Sequence, residues 1–247
     1  MKKQLFILAT ITAIVFTSCS KEKIETPQAS NSEEIATARS QGGNGITSVS
    51  TKGLLGRFEF NGNLKDATAQ LKDGYTTSGR ILFTTDRKGQ ANSAIRFNAA
   101  YGVDIFDVPS TPGNASFSVW IKHDTIPPSG WISILSTWKG FNIQQMQQIF
   151  FCNFWNNIDN LQNVSAYPIN NNWHHIAATR DNTSMKLYVD GVLIGTSPTP
   201  KGASDYFSSD DYKVGYGAGQ YWKGNMDDLR FYSRILTPTE ISTLANQ

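Results

Sequence analysis

Residues 185 to 194 read Met185-Lys186-Leu187-Tyr188-Val189-Asp190-Gly191-Val192-Leu193-Ile194. Met185, Leu187 and Val189 alternate with Lys186 and Tyr188, the period of two that lines one face of a strand with apolar side chains. Asp190-Gly191 then interrupts the run, and this pair accepts the positive φ of a tight hairpin turn. The stretch predicts a β-hairpin. Working outward, the same period recurs. Phe117, Val119 and Ile121 alternate with Ser118 and Trp120, and Leu54, Gly56, Phe58 and Phe60 alternate with Leu55, Arg57 and Glu59. A last strand is expected over residues 226 to 232. One helix closes the chain: Thr237-Pro238-Thr239-Glu240 supplies a capping Thr, a Pro at the first helical position and a Glu that reaches back. Ile241 and Leu244 would dock that helix. Short strands, Gly, Asn and Pro turns and one terminal helix predict an all-β, two-sheet antiparallel jelly-roll sandwich with a short C-terminal helix.

The N-terminus reads differently. Lys2 and Lys3 precede an apolar stretch from Leu5 to Phe16, interrupted only by Thr10 and Thr12. It is short for a membrane span and ends at small residues, as a secretory signal does. Thr17-Ser18-Cys19 resembles a lipobox, with Phe16 where Leu is usual. That resemblance implies lipid on Cys19 and, with Ser20 rather than Asp following, an outer-membrane lipoprotein facing the periplasm or the cell surface. The alternative is ordinary cleavage and a soluble secreted product. Residues 20 to about 52 are polar and lack apolar periodicity, which suits a tether. The expected organisation is a signal peptide at 1–18, the lipidated Cys and tether at 19–52, and the domain at 53–247.

The formal charge is +2, and Lys2 and Lys3 of the leader account for it. A near-neutral mature chain lacks the basic footprint of a nucleic-acid binder. Of the two cysteines, Cys19 belongs to the leader boundary, so Cys152 has no partner for a disulfide. It lies in the apolar run Ile149-Phe150-Phe151-Cys152 and reads as a small buried hydrophobe.

Five motifs carry a family resemblance: Phe58-Glu59-Phe60-Asn61-Gly62-Asn63-Leu64-Lys65-Asp66, Phe117-Ser118-Val119-Trp120-Ile121-Lys122, Trp173-His174-His175-Ile176-Ala177-Ala178-Thr179-Arg180-Asp181, Leu187-Tyr188-Val189-Asp190-Gly191 and Asp227-Asp228-Leu229-Arg230-Phe231-Tyr232. In this order, with a closing turn from Leu236 to Glu240, residues 54 to 246 resemble bacterial laminin-G-like domains of the concanavalin A-like lectin/glucanase superfamily. The resemblance implies the jelly roll. It leaves the ligand open, because this fold hosts lectins, glycosidases and adhesion modules.

Hydrolysis is disfavoured. Glycosidases use paired carboxylates, and the laminarinase-like relatives carry Glu-x-Asp-x-x-Glu on one strand. From residue 53 onward the only Glu residues are Glu59 and Glu240. Asn61 and Leu64 stand where the acids after Glu59 should be, and Glu240 is expected to cap the helix. No catalytic residue is assigned. Of the adjacent His174 and His175, one is expected to pack and the other to hydrogen-bond a neighbouring strand.

A binding module is favoured. Residues 142–172 hold nine Asn and five Gln but one charged residue, Asp159, with aromatics interleaved. Amides both donate to and accept from hydroxyls, and aromatic faces stack on sugar rings. Trp155 with Asn156 and Asn157, and Gln220 with Tyr221 and Trp222 in the loop Gly215-Tyr216-Gly217-Ala218-Gly219-Gln220-Tyr221-Trp222, are the candidate carbohydrate-binding residues. The expected ligand is a neutral or weakly charged polysaccharide, and a protein partner for adhesion uses the same aromatics. In jelly-roll relatives a stabilising calcium often joins the first loop to the last strand. The resemblance therefore implies a structural calcium on Asp66 and Asp227, with Asn61 or Asn63. The competing reading has Asp227 accepting backbone hydrogen bonds.

Overall fold

The computed structural model describes residues 48–247 apart from 77–79, 110, 112, 125–130, 138–139, 147–148, 156–165, 169, 200–210 and 218–219. For 131, 140–141, 145–146, 149–155 and 166–168 it describes the backbone alone. The chain divides into two compact units, Met1–Asn44 and Gly45–Gln247, and every described residue belongs to the second. Cys19, the expected signal peptide and the tether up to residue 47 lie outside the described residues.

The second unit is an antiparallel sandwich. Its strands are β1 (Leu54–Phe58), β2 (Phe83–Thr84), β3 (Ala94–Asn98), β4 (Val103–Ile105), β5 (Ala115–His123), β6 (Trp131–Ser136), β7 (Gly140–Met146), β8 (Ile149–Trp155), β9 (Ala166–Pro168), β10 (Trp173–Arg180), β11 (Ser184–Val189), β12 (Val192–Pro198), β13 (Tyr212–Val214), β14 (Tyr216–Gly217), β15 (Gln220–Tyr221) and β16 (Lys223–Tyr232). Helix α1 (Pro238–Ala245) follows. The larger sheet runs β12-β11-β10-β5-β16-β3-β2, with β1 also paired to β16. The smaller runs β4-β13-β6-β7-β8-β9, and β14-β15 form a separate two-stranded hairpin.

Alternation decides which side chains meet. Phe117, Val119, Ile121, Ile176, Leu187, Met226 and Leu229 of the larger sheet pack in one core with Val103, Ile105, Leu135, Ile143 and Val214 of the smaller. Each such side chain contributes about 1.5–3 kcal/mol when fully buried. The Asp190-Gly191 turn forms as expected, with φ of 50° and 81°, the two positive values of a type I′ turn. The Asp190 carboxylate then ties the turn to β10, accepting from the His175 backbone at 2.9 Å and meeting His174 Nδ1 at 2.7 Å. His174 is thus the hydrogen-bonded member of the pair, and His175 the packed one, 5.3 Å from the Trp120 ring.

The helix begins with the expected capping box. Ile241 and Leu244 pack it on Ala177, Tyr188 and Tyr232, on the side of the larger sheet turned away from the main core. No helix among the described residues is long and apolar enough to cross a membrane.

One expectation is corrected. Strict alternation puts Asp227 on the face of Leu229 and Phe231. Instead the β16–β5 register shifts between Asp227 and Arg230, and Asp228 has a φ of 50°. This bulge inserts one residue and changes the phase. Asp227 lies opposite Trp120, while Met226, Leu229 and Phe231 all point into the core. Asp227, Asp228 and Arg230 therefore share the outer face.

Candidate functional site

The outer face of the smaller sheet carries a group of partly exposed aromatic and polar side chains, Tyr75 and Tyr221 among them. Tyr75 forms an isolated bridge with Asp104. Asp104 is opposite Lys213, and Lys213 is opposite Ser136. Directly opposed residues project to the same face, so Tyr75, Asp104, Lys213 and Ser136 make one row across the strands. Their neighbours Val103, Ile105, Tyr212, Val214 and Leu135 are buried in the core, which turns the row outward. Phe106, two residues beyond Asp104, lies on the same side, with its ring 5.9 Å from Tyr75.

The β14–β15 hairpin sits on this row. The Ser136 hydroxyl donates to the Tyr216 carbonyl at 3.1 Å. The Tyr216 ring lies flat over the start of β4 because residue 102 is glycine; a Cβ there would come within 1.8 Å of the ring. The Tyr216 hydroxyl donates to Asp104, and Lys213 Nζ donates to that hydroxyl at 3.2 Å. Burial, then the Asp104 carboxylate, hold the Tyr216 phenol well above its ordinary pKa. It therefore stays a donor and fixes the direction of the chain Lys213 to Tyr216 to Asp104. Tyr221 stacks on Tyr216 with centroids 5.7 Å apart and planes at 18°. Tyr221 remains 43% exposed and Gln220 is also exposed. The arrangement presents an aromatic surface beside a carboxylate acceptor and an ammonium donor, the complement of a sugar face edged with hydroxyls.

The expected site residues fall into three groups. Gln220 and Tyr221 stand in this site as exposed side chains. Trp222 does not: it is 1% exposed, its ring 5.6 Å from Phe97, and its indole N–H donates to His123 Nδ1 at 3.2 Å. The hairpin that lifts Tyr221 out turns its neighbour into the core. Trp155 ends β8 opposite Gly140, but its side chain is outside the described part, as are Asn156 and Asn157 entirely. Tyr75, Asp104, Phe106 and Lys213 carry no local sequence signal, because strand register brings them together.

Asp66 and Asp227 each face protein donors. Asp66 accepts backbone N–H groups from Arg57, Thr68, Gln70 and Leu71, together with the Thr68 hydroxyl. Against the cost of burial, these donors hold its carboxyl below the usual range. Asp227 takes Arg87, whose guanidinium lies 4.9 Å over the Trp120 ring. Burial, and then Asp228 against the pull of Arg87, push Asp227 up to about 7. Asp228 is forked by Arg230 at 2.9 and 2.6 Å. Both carboxylates of the expected pair thus face donors that a cation would repel or displace. No group of three or more His, Cys, Asp and Glu among the described residues is placed to hold a metal.

A laminin G family model, described as the concanavalin A-like lectin/glucanases superfamily, matches residues 97–242. A comparison with curated protein sequences found no match. Among solved structures, domain 4 of AbnA, a GH43 extracellular arabinanase from Geobacillus stearothermophilus, in complex with arabinotriose, is similar with a TM-score of 0.64 and 21% identity. The likeness covers 78% of this chain and 98% of that one. A botulinum neurotoxin type C structure, described by its interaction with two ganglioside molecules, gives a TM-score of 0.63 at 14% identity, over 78% of this chain and 51% of that one. The binding domain of botulinum neurotoxin DC in complex with rat synaptotagmin II gives 0.62 at 14% identity, over 78% and 51%. This chain spans about half of those toxin structures, and the likenesses show the shared fold.

Proposed function

The chain belongs to the laminin-G-like family of the concanavalin A-like lectin/glucanase superfamily, and from that premise we propose that it is a non-catalytic, lectin-like module that holds a neutral polysaccharide on the outer face of its smaller sheet. The observation that carries this reading is the exposed Tyr221 stacked on Tyr216 beside Asp104 and Lys213. A sugar ring lies on Tyr221. Its hydroxyls donate to Asp104 and accept from Lys213 and the Gln220 amide. The similarity to an arabinanase domain in complex with arabinotriose supports a glycan as ligand. Hydrolysis needs two carboxylates facing the scissile bond. Here Asp104 accepts from Tyr216 and is the one carboxylate in the row of Tyr75, Asp104, Lys213 and Ser136, while Asp107 pairs with Lys72 and Asp211 accepts from the Asp107 backbone amide.

One such site is weak, because binding must offset the lost freedom of the glycan and the water already bonded to its hydroxyls. Attachment through lipid on Cys19, with residues 20 to about 52 as a tether at the outer membrane, is part of the same proposal. Many copies on one surface raise avidity without a tighter site. The test is retardation of the protein in native gels that contain arabinan, xylan, galactomannan or mixed-linkage β-glucan. At least one polysaccharide should retard the wild type, and Tyr221→Ala should remove the effect at unchanged melting temperature. Retention of a protein partner and of no glycan would transfer the site to adhesion, the role suggested by the likeness to a toxin domain in complex with synaptotagmin.

A further inference from the structure

We infer that Tyr75 and Phe106 form a second sugar-stacking platform, so that the site takes an internal stretch of a neutral polysaccharide lying across the strands rather than a single terminal sugar. The inference rests on the glycan-binding reading and specifies its ligand. Tyr75 is 52% exposed, more than Tyr221 at 43%. A tyrosine that open on an ordered strand bridge gains little from packing. Its ring is nonetheless held against Phe106, with centroids 5.9 Å apart and planes at 43°, which fixes its orientation before any ligand arrives. Preorganised aromatic surface of this kind loses little freedom on binding.

The spacing sets the length. Tyr75, Asp104, Lys213 and Ser136 are consecutive across the sheet. Adjacent strands lie about 4.8 Å apart, so the row spans roughly 14 Å. The Tyr216 ring reaches from Ser136, which holds its carbonyl, back over Gly102 to Asp104, so the Tyr216–Tyr221 and Tyr75–Phe106 pairs flank that carboxylate. A short oligosaccharide can lie on both pairs, with the hydroxyls of its inner units over the carboxylate and the ammonium.

Charge chooses the class. The positive groups of this face are matched locally: Lys72 pairs with Asp107 at 2.6 Å, and Lys213 is bound through Tyr216 to Asp104. Asp211 adds a further negative charge near the Tyr216 hydroxyl. No arginine fork is placed here among the described residues to take a sugar carboxylate or sulfate, and Asp104 repels one. Chains rich in uronate or sialate are therefore excluded.

The test uses the full-length protein and linear oligosaccharides, dimer to tetramer, of whichever neutral polysaccharide retards it in the gels. Calorimetry should show the tetramer binding roughly tenfold more tightly than the dimer. Tyr75→Ala should bring the tetramer down to the affinity of the dimer, whereas Val192→Ser, on the opposite sheet, keeps the gain. Polygalacturonate should not bind. Equal dimer and tetramer affinities, or a length gain that survives Tyr75→Ala, would overturn the second platform while leaving the glycan reading intact. A wild type retarded by none of the four polysaccharides overturns both.

Discussion

Adjacent residues Tyr221 and Trp222 should respond oppositely to the same substitution. Trp222→Ala removes an indole that is 1% exposed, packed at 5.6 Å from Phe97 and at 5.4 Å edge-on to His123. Truncating so large a buried aromatic costs about 3–5 kcal/mol through lost transfer energy and the cavity left behind. Loss of the 3.2 Å hydrogen bond from its N–H to His123 places the effect toward the upper end. In a domain of this size each kcal/mol moves the midpoint by about 2–4 °C, so the melting temperature should fall by roughly 6–20 °C. Tyr221→Ala removes a ring that keeps 43% of its exposure and one stacking partner, and should change stability by about 1 kcal/mol or less. Scanning calorimetry with urea unfolding measures both, and affinity gels measure retention. The expected pattern is a folded Tyr221 variant without binding and a destabilised Trp222 variant whose remaining folded fraction still binds. A Trp222→Ala protein that melts with the wild type would refute the placement of this side chain in the core, and with it the hairpin geometry that exposes Tyr221.

Four further outcomes are expected. Gly102→Val drives a side chain into the space of the Tyr216 ring, so glycan retention should fall at least tenfold, and unchanged retention would show that the Tyr216–Tyr221 stack is dispensable. Stability should respond to pH through two groups of opposite sign: His175, lowered to about 3 by burial, favours the fold as pH rises from 3 to 6.5, and Asp227, raised to about 7, disfavours it as pH rises from about 4 to 7. Urea midpoints of the wild type should hence vary little between pH 4 and 6.5, rise more steeply with pH in Asp227→Asn and fall with pH in His175→Phe; superimposable curves for all three would end this account. Because Asp66 and Asp227 face N–H and guanidinium donors, exhaustive chelation should leave the melting temperature unchanged, and a drop restored by calcium would reinstate a shared cation. Labelled fatty acid should be incorporated into the wild type but not into Cys19→Ala, and a wild type without label would remove the anchor.

What the sequence discloses here follows from the range of each interaction. The Asp190-Gly191 turn and the Thr237–Glu240 capping box are local, their donors and acceptors lying within a few residues, and both form as read. Alternation likewise places Phe117, Val119, Ile121, Met185 and Leu187 in the core. It fails at Asp227, because one bulge residue with positive φ reverses the phase and no residue type in Asp227-Asp228 announces it. The binding face is harder still. Gln220 and Tyr221 are visible as polar and aromatic residues in a glycine-rich loop, yet Trp222 beside them looks the same in sequence and is core. Tyr75, Asp104 and Lys213 stand 138 positions apart at the extremes, and only the pairing of three short segments makes them neighbours.

The two sheets differ in what closes their outer faces, and that difference favours the smaller sheet as the place of the proposed glycan. On the larger sheet, α1 covers Ala177, Tyr188 and Tyr232. Beside it Arg57, Arg87 and Arg230 pair with Asp227 and Asp228 near the Trp120 and His175 rings, which meet at a tilt of 56°. The carboxylates of that network answer to guanidinium groups, while the buried Arg87 Nε and His175 Nδ1 have no hydrogen-bond partner, and removing one member of an ion pair leaves the other buried and unpaired. Such a face stabilises the fold. On the smaller sheet the covering element among the described residues is the β14–β15 hairpin, which shields Asp104 and Ser136 yet leaves Tyr221 and Tyr75 partly in water. Its hydrogen bonds run one way, from Lys213 through Tyr216 to Asp104, so the lysine keeps free N–H groups and the carboxylate keeps free lone pairs. Sugar hydroxyls, which both donate and accept, can use each of them without breaking the chain that holds the aromatic rings in place.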